Sequence, residues 1–260
     1  MTVQDIYQVL DNAAPFSTQE SYDNSGLLVG STEQPVTHIL LTLDITRPVI
    51  EEAAAIGADL ILAHHPVIWS PLKSLSPESP VWQLANHGIA AICSHTCMDI
   101  APKGINALIG QKLHEAIGFS SDLEPLEILS GGRVLGQAAT LREEYTADTL
   151  AQKLGDVFGK TSLRYYANQK PIRKIAWCSG SGGDLIETAL SRGADALITG
   201  DCKHSVWALA QNLDFNLFDC GHFDTEVIVT ECFFELLAPC ADKVKITVSQ
   251  AGTKPFFHTL

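Results

Sequence analysis

Short apolar runs alternate with amphipathic stretches along most of this chain. Residues 38–43, 60–63 and 89–93 are each brief, almost wholly apolar and β-compatible. Runs of that length, apolar on both faces, predict strands of a sheet covered on both sides. Between the first two, residues 49–56 follow Pro48 and stop at Gly57. Pro just inside the start and Gly just past the end is the asymmetry of a helix. Residues 81–86 before Gly88, and 104–117 before Gly118, predict two more helices. The first six residues read as the opening turn of another.

The second half follows the same plan. A strand over 175–178 is followed by a Gly-rich turn, 179–184, and a helix over 185–191. A strand up to Thr199, a helix over 206–212 and a strand over 215–220 complete the series. Gly193-Ala194-Asp195 before one strand repeats Gly57-Ala58-Asp59 before its counterpart. Strands alternating with helices predict an α/β layer fold with mostly parallel sheets. The repeated order predicts two similar units related by internal duplication, 1–126 and 127–260. The tail 227–260, a helix to Leu237 and a strand over 244–248, is free to return to the first unit. Between the halves, 130–132 reads as a turn, 135–140 as a strand and 150–158 as an amphipathic helix.

Composition narrows the class. With 260 residues, 46% hydrophobic and 18% charged, the chain can bury a core. No apolar run reaches the roughly 18–20 residues of a membrane span, and residues 1–6 have no secretory signal character. A soluble cytoplasmic protein is expected. Thirty acidic against seventeen basic residues give −13, which disfavours direct nucleic-acid binding. Seven dispersed cysteines without a C-x-x-C pair argue against a disulfide framework or a thiolate zinc module.

The chemistry lies at strand ends, where open α/β sheets bind ligands. His64-His65-Pro66 follows 60–63, His95-Thr96-Cys97-Met98-Asp99 follows 89–93, and Gly221-His222-Phe223-Asp224-Thr225-Glu226 follows 215–220. Each has a plain alternative: loop histidines on backbone carbonyls, Asp99 as a helix cap, and Thr225 or Asp224 capping the helix to Leu237. Three coincident strand ends shift the balance. His64, His65, His95, Asp99, His222 and Glu226 are too many donors for one tetrahedral zinc. They suit two divalent ions about 3.5–4 Å apart and metal-assisted hydrolysis. Without thiolates, Zn, Fe, Mn, Co and Ni all remain possible. Cys97 reads as inert filler, and the loop 179–183, lacking the Lys-Ser/Thr of a P-loop, as a Gly-rich connector. Lys203 and His204 are either substrate contacts or a solvated helix start.

Several motifs in this order resemble one family: Tyr22-Asp23-Asn24-Ser25-Gly26-Leu27-Leu28-Val29-Gly30, the His-His-Pro at 64–66, the segment 95–99, Trp177 to Gly183, Ile198-Thr199-Gly200-Asp201, and the segment 221–226. The chain is similar to the NIF-three-like dinuclear metal-centre hexameric proteins, also called GTP cyclohydrolase I type 2 homologs. The resemblance implies His64, His65, Asp99, His222 and Glu226 as metal ligands, and His95 as a ligand or as the group that orients one. It implies two α/β units per chain, a toroidal homohexamer built as a trimer of dimers, and two divalent ions per subunit. It implies a hydrolase-like activity on a small molecule, with GTP suggested by the family name. Non-catalytic metal binding or trafficking, and partnership with a transcription regulator, are the alternatives. Asp201 stands where Glu is common, and Cys97 and Met98 depart from the usual pattern, all outside the implied ligands.

Overall fold

The structure is a computed structural model of the chain and describes residues 1–160, 163–253 and 256. The first helix, α1 (Val3–Ala13), starts on a reciprocal cap: the Asp5 N–H donates to the Thr2 hydroxyl, and the Thr2 N–H donates to the Asp5 carboxylate. Its buried stripe is Val3, Ile6 and Leu10. Strand β1 (Gly26–Val29) precedes β2 (His38–Thr42), α2 (Arg47–Ile56) and β3 (Leu60–Ala63). Then come α3 (Pro80–His87), β4 (Ala90–Cys93) and the one-turn α4 (Thr96–Asp99). Every residue of β2, β3 and β4 is buried, as their apolar runs require. They pair in parallel, with Leu40, Ile61 and Ala91 in register. β1 adds to β4 antiparallel.

The chain continues through α5 (Ile105–Ile117), the hairpin β5 (Glu124–Ile128) and β6 (Val134–Tyr145), and α6 (Ala147–Phe158). Next are β7 (Arg164–Tyr166), β8 (Ile172–Trp177), α7 (Ile186–Ser191) and β9 (Ala196–Thr199). α8 (His204–Leu213), β10 (Asn216–Asp219) and α9 (His222–Glu226) follow. The sheet runs β5-β6-β8-β9-β10-β7. Its centre, β8-β9-β10, is parallel, and the flanking strands join antiparallel. The stretch before the expected turn at 130–132, to which the sequence assigns no element, thus holds the strand β5.

The end of the chain supplies α10 (Val229–Leu237) and β11 (Lys245–Val248). β11 lies parallel to β2, so the first sheet runs β1-β4-β3-β2-β11. Residues 254–255 and 257–260 of the tail lie outside the described residues. The expected helix after Glu226 is α10, and a separate short helix, α9, ends at Glu226 just before it.

Two compact units result, Met1–Gly104 with Val227–Phe256, and Ile105–Glu226. The division falls at Gly104 rather than at 126, because α5 packs on β6 of the second unit. No Pro-rich or polar linker marks that point, so the sequence offers nothing to place it. The repeated Gly-Ala-Asp performs one task in both units. Asp59 Oδ2 accepts the N–H groups of Thr37 and His38, and Asp195 Oδ2 those of Arg173 and Lys174. Gly57 and Gly193 both turn with positive φ, +68° and +72°. Each Asp thereby closes the start of two neighbouring parallel strands. Among the described residues, no helix is long and apolar enough to cross a membrane.

Candidate metal centre

In the first unit the carboxyl ends of β3 and β4 bring three imidazoles together. Ring centroids of His64 and His65 are 5.1 Å apart, of His64 and His95 5.0 Å, and of His65 and His95 5.6 Å. One ligand nitrogen from each lies within 4.8 Å of the others. Each Nδ1 meets an oxygen: His64 the Ser94 carbonyl at 2.8 Å, His65 Asp44 Oδ1 at 2.8 Å, and His95 Asp23 Oδ1 at 3.0 Å. A carbonyl oxygen and an ionised carboxylate only accept, so these nitrogens carry the proton. In the neutral ring this leaves Nε2 its lone pair, the arrangement that orients metal-binding imidazoles. Asp99, buried at the end of α4, places Oδ1 3.8 Å from His64 Nε2. Asp99 closes this helical turn and His95 begins it, so Asp99 is no N-terminal cap.

Asp23 holds the His95 loop in place. Its carboxylate accepts from the Thr96 N–H at 3.0 Å, the Thr96 hydroxyl at 2.6 Å and the Ser25 hydroxyl at 2.9 Å, besides His95. Ser25 Oγ in turn accepts the His95 N–H at 2.9 Å. Burial alone would raise the Asp23 carboxyl; the hydrogen bonds from His95 and Thr96 outweigh it and hold the group well below the usual carboxylate range. Asn24 Nδ2 donates to the Ile68 carbonyl at 2.7 Å, tying the same segment to the loop that follows His65.

In the second unit α9 presents His222 and Glu226 one turn apart. His222 Nε2 lies 2.8 Å from Glu226 Oε2, and its Nδ1 lies 3.0 Å from Asp201 Oδ2. Thr225 caps nothing; it sits inside the helix, its hydroxyl donating to the Gly221 and His222 carbonyls. The Gly-rich loop explains itself here. A Cβ on Gly180, where φ is +58°, would fall 2.0 Å from Glu226 Oε1 and 3.3 Å from His222 Nε2. Only glycine lets that carboxylate lie against the backbone. Lys203 borders a shallow depression with Ser181, Gly183, Asp184, Asp201 and Val206. Two carboxylates facing one ammonium there are a poor balance for a phosphate. His204 is exposed at the start of α8.

All seven cysteines are buried and unbridged. Cys97, between His95 and Asp99, has Sγ 3.3 Å from Ser94 Oγ, and burial pushes its thiol up. An uncharged buried thiol is neither a nucleophile nor a ready ligand. Three carboxylates that meet the imidazoles had no assigned role in the sequence: Asp23, Asp44 and Asp201. The visible signals were Asp23 inside the 22–30 motif, Asp201 inside the 198–201 motif and Asp44 two residues beyond β2.

Each of the two α/β units carries imidazole and carboxylate side chains at its strand ends, candidate donors for a metal ion. The chain belongs to the Duf34/NIF3 (NGG1p interacting factor 3) family, whose model matches residues 1–255. It is 31% identical over 262 residues to a GTP cyclohydrolase 1 type 2 homolog of Clostridium perfringens, covering 98% of this chain and 99% of that one. It is 33% identical over 273 residues to a protein of the same name from Lactococcus lactis, covering 99% of each. Among solved structures, hypothetical protein SA1388 of Staphylococcus aureus matches with a TM-score of 0.88 and 25% identity, over 100% of this chain and 99% of that one. A Bacillus cereus protein related to NIF3 shares the fold, with a TM-score of 0.87, 22% identity and coverage of 100% and 99%.

Proposed function

We propose that the chain binds two divalent metal ions and acts as a metal-dependent hydrolase on a small molecule. His64, His65, His95 and Asp99 hold metal on the first unit, and His222 and Glu226 on the second. The observation that carries this reading is the common set of the first three rings: each Nδ1 is committed to a fixed oxygen, and one nitrogen of each converges with the others. Three imidazoles beside a carboxylate suit a divalent transition ion. The second group, one imidazole and one carboxylate, is too small to hold an ion with protein donors alone.

A bound metal pair would supply an activated water near neutral pH and polarise the bond under attack. The chain's own contribution is order. Asp44, Asp23 and the Ser94 carbonyl aim the imidazoles of the first unit, and Asp201 aims that of His222. The name shared by the curated relatives supports GTP or a related purine nucleotide as the first substrate class to try. The family resemblance also supports a homohexamer acting in the cytoplasm.

The test reconstitutes purified chain with Zn, Mn, Fe, Co or Ni. Each form is then incubated with GTP, phosphoesters and amides. Turnover that needs metal and disappears in His222→Ala is expected. If no substrate is consumed in any metal form, the enzyme reading fails, even where metal is bound.

A further inference from the structure

Beside the three imidazoles stands a large aromatic side chain that the core does not use. Trp69 is 52% exposed, yet its ring is held at the cluster. Its centroid lies 5.1 Å from that of His95, at an interplanar angle of 86°, and 6.3 Å from that of His65. The adjacent backbone is pinned by the bond from Asn24 Nδ2 to the Ile68 carbonyl. Asn24 sits between Asp23 and Ser25, the residues that fix His95. One short segment therefore sets both the imidazole and the backbone next to the indole.

We propose that Trp69 is a stacking platform for a planar heteroaromatic ring of the substrate; this rests on the reading of the imidazole group as a metal centre. Leaving an indole half open to water forgoes the free energy that its burial would release. A fixed, half-open aromatic at the rim of a polar site gives that back when a flat ring covers it. Stacking on an indole needs a π-face rather than a particular pattern of donors and acceptors. It would position the ring while leaving the polar chemistry to the imidazoles and carboxylates. The competing occupant is a second copy of the chain. Leu72 and Leu75, 50% and 48% exposed, follow Trp69 on the same loop.

Calorimetric titration of metal-loaded full-length protein separates these. Guanosine is the planar probe and ribose 5-phosphate the ring-free control, tested on wild type, Trp69→Leu and Trp69→Phe, with metal content and oligomer mass measured on each. Trp69→Leu should weaken guanosine about ten- to a hundredfold. Trp69→Phe should restore most of it, and ribose 5-phosphate should not respond to either change. Equal guanosine affinity in wild type and Trp69→Leu overturns the platform, as does a metal-loaded wild type that binds no guanosine. A changed oligomer mass with unchanged guanosine binding assigns the residue to a subunit contact and also overturns it. Wild type that takes up no metal is a different failure, that of the metal centre itself.

Discussion

The histidines of this chain depend on oxygens that come from far along the sequence. His95 and Asp23 are 72 residues apart, and His65 and Asp44 are 21 apart. That separation is why the imidazoles were legible from sequence and their orienting groups were not. A His pair after a short apolar run announces a strand end, but nothing local says which carboxylate will meet which ring. Asp23 is the most heavily used of these groups. Replacing it by Asn keeps the size but removes the charge that fixes the His95 tautomer. Loss of a group that orients a metal-binding imidazole typically costs about 10–100-fold in affinity. Competition titration of Asp23→Asn against a coloured chelator should show a loss of that size. Affinity equal to wild type would mean that His95 needs no orienting carboxylate.

Among the elements, those buried on both faces were readable. β2, β3, β4 and β9 are apolar at nearly every position, and the Pro and Gly flanking α2 mark its ends. The missed strands are edge or hairpin strands with little apolar signal. β5 carries Glu124, Pro125 and Glu127, and β7 has only three residues, two of them exposed. The placement of β11 depends on contacts at its end. Glu52 of α2 accepts the Ser249 hydroxyl and the N–H groups of Gln250 and Ala251 just beyond that strand. Burial alone would raise this carboxyl; the bonds from Gln250, Ser249 and Ala251 outweigh it and hold it below its usual range. A folded-state pKa below the unfolded one adds stability that is full above about 4.3 and is lost as pH falls through the folded value. Glu52→Gln should therefore be about 1–2 kcal/mol less stable than wild type at pH 7. The two unfolding curves should converge as the pH is lowered below the carboxylate range. A gap that stays constant down to pH 3 would show that the charge of Glu52 is not what holds the tail.

For the molecule as a whole, the duplicated plan was visible in the order of elements and in one repeated tripeptide. The actual division was not, because the first unit is discontinuous in sequence. Its sheet is finished by β11 and its α1 is packed by α10, both from the far end of the chain. The fragment 105–226 is continuous and carries all six strands of its sheet. Expressed alone, it should give a cooperative melting transition. The fragment 1–104 leaves the edge of β2 open and lacks α10, so it should show none by circular dichroism. Cooperative folding of 1–104 alone would contradict the assignment of the tail to the first unit.

The proposed metal centre is tested most directly by anomalous X-ray scattering from crystals of the full chain grown with zinc or manganese. Two peaks per chain are expected, with the nitrogens of His64, His65, His95 and His222 and the carboxylates of Asp99 and Glu226 as their protein ligands; zinc–nitrogen distances should be near the usual ~2.0–2.1 Å. Metal-soaked crystals with no peak at these residues, or with peaks held by other side chains, would contradict it.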